Sequence, residues 1–188
     1  DLAHHPSIIP TRRLVGRYAI DVRHTTATAR GPETAALTSS TLEILSWSAM
    51  TSIHDATVRK FLDSDPALVG QLGYLGTDGR PLILPVWYRL TDDHLQFVTH
   101  LKTLKVKAVQ RDPRTVITVA TQAEPYRYVQ VQGEAKVDTD ESGVRTALID
   151  ITARYLGADR AEAYVDEHHS GPGEVIVRVY PLRVHAAL

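Results

Sequence analysis

Lys102, Lys105 and Lys107 fall within six consecutive positions of the stretch "FVTHLKTLKVKAVQRDPR", between an apolar run and an Asp-Pro-Arg turn. Thr103 stands among them and suits the start of a helix running from about Leu104 to Arg111. A hydroxyl at that place accepts one of the orphan amides of the first turn, and Asp112-Pro113 stops the helix. Free amides and the positive end of the helix dipole favour an anion there, and Lys102 and Lys105 add two formal charges within the first turn. A phosphate group is the natural occupant. Taken alone, the same segment suits a solvated helix face equally well.

Other chemistries find less support. The chain has no cysteine, which excludes disulfides, thiolate nucleophiles and Cys-ligated metals and fits a reducing cytoplasm. Neither a Gly-x-Ser-x-Gly elbow nor a His-Glu-x-x-His helix is present, and Gly70, Gly73 and Gly76 are spaced by three, unlike a dinucleotide fingerprint. The pairs His4-His5 and His168-His169 are adjacent, and neighbours on a strand point to opposite faces, so they read as surface histidines and no metal site is expected.

The 21 basic and 22 acidic side chains leave a net charge of -1, so the chain exerts no general attraction on nucleic acid or an acidic membrane. With 6% aromatic residues it also lacks stacking platforms for bases. No run approaches the roughly 18 apolar residues that cross a bilayer. The first residues lack an apolar signal core. These features predict a soluble, cytoplasmic protein.

The elements that must position the lysines follow from periodicity. Residues 1–49, rich in Thr, Ala and Ser, read as a poorly structured extension, and the only methionine, Met50, stands where that texture ends. Residues 50–188 read as the folded domain. "SIHDATVRKFL", residues 52–62, predicts a short amphipathic helix. "LVGQLGYLG" and "LILPVWYRL" predict two strands joined at Asp78-Gly79, and "LQFVTH" a third. "TVITVAT" and "YRYVQVQGEAKVDT" alternate as strands four and five, the latter bending near Gly133. Residues 141–167 predict helix, with Val144, Leu148, Ile151 and Tyr155 on one stripe and a break at Gly157, and "EVIVRVYPLRVHA" predicts the last strand. Six β segments with few helices imply a mostly β (α+β) fold, a six-stranded antiparallel barrel whose closure removes exposed edges.

In order along the chain, "DGRPLILPVWY", "FVTHLKTLKVKAVQRDPR" and "YRYVQVQGEA" resemble the flavin and deazaflavin oxidoreductase superfamily that includes pyridoxamine 5'-phosphate oxidase, over most of residues 52–185. The shared order is Asp-Gly-x-Pro, a Pro-Val-Trp strand, a Thr-x-x-x-Thr/Ser-x-Lys turn, Asp-Pro-Arg, and a Tyr-Val-x-Val-x-Gly strand. The resemblance implies a split β-barrel homodimer with the cofactor at the subunit interface and its phosphate on the turn after the third strand. It places Thr99, Thr103 and Lys105 on phosphate-binding positions, with Val98 beside them, and Lys102 joins them by charge and proximity. The strand of Pro85, Val86 and Trp87 would line the ring system; Pro85 has no amide to give, so Val86 and Trp87 are the contact candidates. Tyr128 falls where flavin-using relatives often place a glutamine, and could stack or hydrogen-bond.

Leu104 departs from the arginine of many FMN-binding members, and a leucine cannot fork onto a phosphate. The end, "GEVIVRVYPLRVHAAL", lacks the basic signature that pyridoxamine phosphate oxidases use for their substrate. The "PVWY" strand and the "TLKVKAVQRDPR" turn resemble more closely the branch that uses coenzyme F420. The resemblance thus implies hydride transfer from reduced F420 to an electron-poor alkene, imine or tetrapyrrole bridge. Its alternatives are an FMN enzyme of the same fold and a noncatalytic binder of a flavin, deazaflavin or haem-type ligand. A proton must also arrive, from Tyr126, Tyr128, His100 or solvent, and no catalytic acid is assigned from sequence.

Overall fold

The computed structural model describes residues 49–188 apart from 141, 170 and 171. Its elements, in chain order, are β1 (Ala49–Thr51), α1 (Ala56–Leu62), β2 (Gly70–Leu75), β3 (Pro81–Val86), β4 (Arg89–Leu90) and β5 (Leu95–His100). Then follow α2 (Leu104–Arg111), β6 (Arg114–Ala120), β7 (Tyr128–Asp138), α3 (Val144–Leu156), α4 (Ala158–His168) and β8 (Glu174–Ala187). The expected extension, residues 1–49, and His4-His5 lie outside the described residues, except that the backbone of Ala49 begins β1. No helix among the described residues is long and apolar enough to cross a membrane.

The strands form one antiparallel sheet in the order β3-β2-β6-β7-β8-β5-β4, with β1 beside β8. β3 and β4 stand at opposite ends of that order, yet only Trp87 and Tyr88 separate them in the chain. The sheet therefore curls until its two ends meet, which produces a split barrel of mostly β structure with four helices among the described residues. Eight strands replace the six expected from alternation. One of the additions is β1, three residues too short to show a period; the other arises because the predicted strand "LILPVWYRL" is cut in two.

The cut has a specific cause. The amide of Tyr88 turns away from any β ladder and donates to the hydroxyl of Tyr155 on α3 at 3.2 Å, and that hydroxyl donates to the carbonyl of Leu68 at 3.0 Å. Tyr88 itself is fully buried, its hydroxyl donating to the Leu62 carbonyl at 2.7 Å, and burial pushes its phenol above the usual range. Arg154 reaches the same carbonyl and pairs with Asp63 at 2.9 Å, so α3 is tied to α1 across the split.

Local rules explain most of the remaining architecture. Asp55 caps α1 by accepting from the amides of Thr57 and Val58, so that helix starts at Ala56 and not at Ser52 as its apolar spacing implies. Gly79 adopts φ 82° in the β2–β3 turn, the left-handed conformation that glycine accepts without penalty. The predicted bend near Gly133 is a bulge: Gln132 faces Arg183 but Gly133 faces Pro181, leaving Leu182 of β8 unopposed. Before the bulge β8 pairs with β5, and after it with β1. Inward residues of all the long strands, including Leu72, Phe97, Ile117, Val131 and Val177, fill the barrel together with Val106 and Val109 of α2. A second, smaller core seats Ala147, Leu148 and Val165 of the α3–α4 hairpin on Ile176, with Val98 packed against it.

Candidate active site

The loop after β5 is held from both sides. His100 accepts the amide of Thr103 on its carbonyl at 3.1 Å and the amide of Lys102 on its Nδ1 at 3.2 Å. The amide of Leu101 donates to the carbonyl of Gly173, just before β8, at 2.8 Å. Gly173 has φ 100° and lies against the His100 ring, where a Cβ would come within 3.0 Å of Nε2. The α2 N-terminus is thereby fixed against the start of β8.

Thr103 occupies the N-cap position with an extended backbone, but its hydroxyl makes no capping bond, contrary to the expectation from sequence. That Oγ1 is buried and has no hydrogen-bond partner among the described residues. Lys105, the second residue of α2, is half-buried; burial pushes its ammonium below the usual lysine range and the nearby Glu174 carboxylate pulls it back up. No carboxylate lies within ion-pair distance of Lys105 among the described residues. A desolvated cation and an unpartnered hydroxyl at the positive end of a helix form a donor set that fits a phosphate.

Lys105 opens onto a cavity of about 190 Å³. The barrel contributes Pro85 and Val86 from the end of β3, Trp87 just after it, and Val98 and Thr99 from β5, so with Lys105 the fold gathers six of the residues singled out by sequence. The helical hairpin contributes Leu148, Ile151, Thr152 and Tyr164, with His169 just after α4. Lys102 and Thr103 lie on the adjoining turn and do not line the cavity. Tyr128 is not brought to it: this residue pairs with Ala187 at one end of β8, whereas Thr99 pairs with Val175 near the other, roughly 40 Å away along the strand.

Aromatic groups wall one side. The ring of Trp87 stacks on Tyr155 at 4.9 Å and 4°, and Tyr164 lies tilted beside it at 6.0 Å. One face of Trp87 is therefore already covered by protein. His168 and His169 differ in surroundings, against the reading of both as surface residues. His168 Nδ1 contacts the carbonyl of Tyr164 in its own helix at 3.0 Å, while His169 Nδ1 lies 3.0 Å from Glu174 Oε1 in the partly buried cavity wall. Nothing in the local sequence marks His169 or Glu174, because Gly171 and Gly173 stand between them and their meeting depends on how α4 returns to β8.

On the outer face of the sheet, Leu82, Ile83 and Leu182 line an open groove of about 790 Å³ with Val116 and Arg114. Ile83 is 74% exposed and Leu182 70%, the latter because the bulge expels it from the barrel. β3 thus serves both features, its first half facing the groove and its end lining the cavity.

A family model described as Pyridoxamine 5'-phosphate oxidase matches residues 54–186. No curated protein sequence matches the chain significantly. Among solved structures, the conserved hypothetical protein Rv2991 of Mycobacterium tuberculosis aligns with a TM-score of 0.63 at 23% identity, over 76% of this chain and 87% of that one. An F420 reductase aligns with a TM-score of 0.52 at 23% identity, over 67% of this chain and 94% of its own. The General Stress Protein 26 of Bacillus anthracis aligns at 0.51 and 13% identity, over 69% and 89% of the two chains. At such identities these likenesses concern the fold.

Proposed function

The chain belongs to the pyridoxamine 5'-phosphate oxidase family, a family of flavin-binding split-barrel oxidoreductases, and from that premise we propose that it uses reduced coenzyme F420 to reduce an electron-poor organic acceptor. The observation that carries this reading is Lys105, half-buried and without an ion-pair partner among the described residues, at the mouth of the cavity that Pro85, Val86 and Trp87 line. Leu104, 69% exposed where many FMN-binding members carry an arginine, weakens the case for FMN. The likeness to an F420 reductase points the same way.

When bound, the deazaflavin supplies a hydride, and the protein supplies position and electrostatics. Lys105 and Thr103 would hold the phosphate, with Lys102 adding charge from the exposed turn. Val86 and Trp87 would support the ring edge, while Leu148 and Ile151 keep water from that side.

The cavity is smaller than the roughly 300–1,000 Å³ of ordinary ligand pockets, so one chain builds only part of the site. The remainder comes from a second copy packed on the apolar groove of Leu82, Ile83 and Leu182. Ile83→Lys is expected to convert a dimer into a monomer in light scattering; a variant that keeps the wild-type mass would overturn this assembly.

Side-by-side titration with F420 and FMN, followed by tryptophan fluorescence, tests the cofactor, since Trp87 lines the cavity. F420 is expected to bind more tightly. Tighter FMN binding would move the protein to the flavin branch, and binding of neither would reject the reading.

A further inference from the structure

Resting on the reading above, we propose that His169 is the catalytic acid of this site and that Glu174 is its positioning residue. A hydride added to one end of an electron-poor double bond breaks the π bond and drives an electron pair onto the other end. That atom must take a proton, or the addition reverses. The donors considered from sequence are badly placed. Tyr126 is 72% exposed in the loop before β7, Tyr128 sits at the far end of the β7–β8 ladder, and Nδ1 of His100 faces the amide of Lys102.

His169 lines the same cavity as Trp87 and Lys105. Its Nδ1 lies 3.0 Å from Glu174 Oε1, and a carboxylate can only accept, so Nδ1 carries a proton and Nε2 is the nitrogen left to serve the cavity. Glu174 is a rigid anchor: its backbone pairs with His100 in the β5–β8 ladder, and its Oε2 is buried without a hydrogen-bond partner. The groups facing this pair from the surrounding elements are Lys105 of α2, near Glu174, His100 of β5, opposite Glu174 in the ladder, and Tyr164 of α4, whose ring lies beside that of His169 and is itself stacked on His168. Lys105 is the cation beside Glu174, and an anion bound by Lys105 leaves the carboxylate to His169 alone.

The balance closes with the named reactants. The hydride and its electron pair come from the reduced deazaflavin, which is oxidised by two electrons. The proton comes from Nε2–H of the imidazolium, which becomes neutral imidazole and is reprotonated from solvent.

The test compares wild type with His169→Gln, Glu174→Gln and Tyr164→Phe, the last removing the phenol of the cavity wall. F420 binding is read by tryptophan fluorescence, and turnover by oxidation of reduced F420 with 2-cyclohexen-1-one as the probe acceptor. His169→Gln is expected to bind F420 within about threefold of wild type while turning over about 100-fold more slowly, the usual worth of a general acid. Its rate should also lose the pH dependence expected of the wild type, and Glu174→Gln should alter that dependence. Independently of the cofactor, nitrogen-15 NMR of labelled histidine should show a protonated Nδ1 that disappears in His169→Gln. Wild-type rate and pH profile in His169→Gln, or loss confined to Tyr164→Phe, would overturn the assignment and leave the F420 reading standing. Failure of wild type to bind or oxidise F420 would overturn both.

Discussion

Lys105→Met is expected to weaken binding of the phosphate-bearing cofactor about 30-fold while raising the melting temperature of the apoprotein. The first effect follows from losing one charge-assisted hydrogen bond, which contributes about 2 kcal/mol in a partly buried setting. The second follows from the direction in which Lys105 is shifted. Burial disfavours its ammonium and holds its proton affinity below that of the unfolded chain, with Glu174 only partly offsetting the effect. Between the folded and unfolded values the unfolded chain binds more protons, so the wild type gains stability as pH rises through that interval and carries the cost of the charge below it. Methionine fills a similar space without the charge, so the variant should melt higher at neutral pH and lose the alkaline gain. Paired thermal melts at neutral and alkaline pH, with a cofactor titration, separate these effects. Unchanged binding would remove Lys105 from the site, and a lower melting point at neutral pH would contradict its desolvation.

Gly133→Ala should produce the largest loss of stability of any single methyl addition to the barrel. A Cβ at that position would stand 2.1 Å from the carbonyl oxygen of Tyr180 and 2.9 Å from its carbon. These are backbone atoms of the neighbouring strand and cannot swing aside like a side chain. Relief requires parting β7 from β8 at the bulge, where both strands change direction and where Leu182 is expelled to the outer groove. Overpacking of this kind costs about 3 kcal/mol, or roughly 10 °C in melting temperature for a domain of this size. Gly143→Ala serves as the comparison, since a Cβ there meets nothing within 4 Å. A Gly133→Ala variant that melts with the wild type would mean that the strands do not approach so closely. Because the bulge also shapes the groove, the variant should weaken the proposed dimer before it unfolds.

Much of the fold is legible residue by residue. The Asp78-Gly79 turn, the break at Gly157 and the alternation of Leu95, Phe97 and Thr99 each depend on dihedral preferences or a two-residue period contained within a few positions. The bend at Gly133 is legible as a glycine in a long strand, although the extra residue of the bulge turns out to lie on β8, at Leu182. The turn of Thr103 and Lys105 is legible too, because helix start, charge and the Asp-Pro stop lie in one short segment. Its expected hydroxyl cap is not formed, since the buried Thr103 side chain makes no bond to its own helix.

What the sequence determined by itself, then, is the long strands and their turns, the anion-favouring helix start, and through ordered motifs the split-barrel family. Tertiary structure decided where the barrel opens and what closes the cavity. The split at Trp87-Tyr88 exists because the hydroxyl of Tyr155, 67 residues from Tyr88, replaces a β-ladder partner. Likewise His169 is turned from an ordinary helix-end residue into part of the cavity wall by Glu174, which reaches it from the start of another strand. The physical reason is one of range: backbone preferences act over a few residues, whereas desolvation and hydrogen-bond geometry are set by whichever distant groups packing brings within about 3 Å.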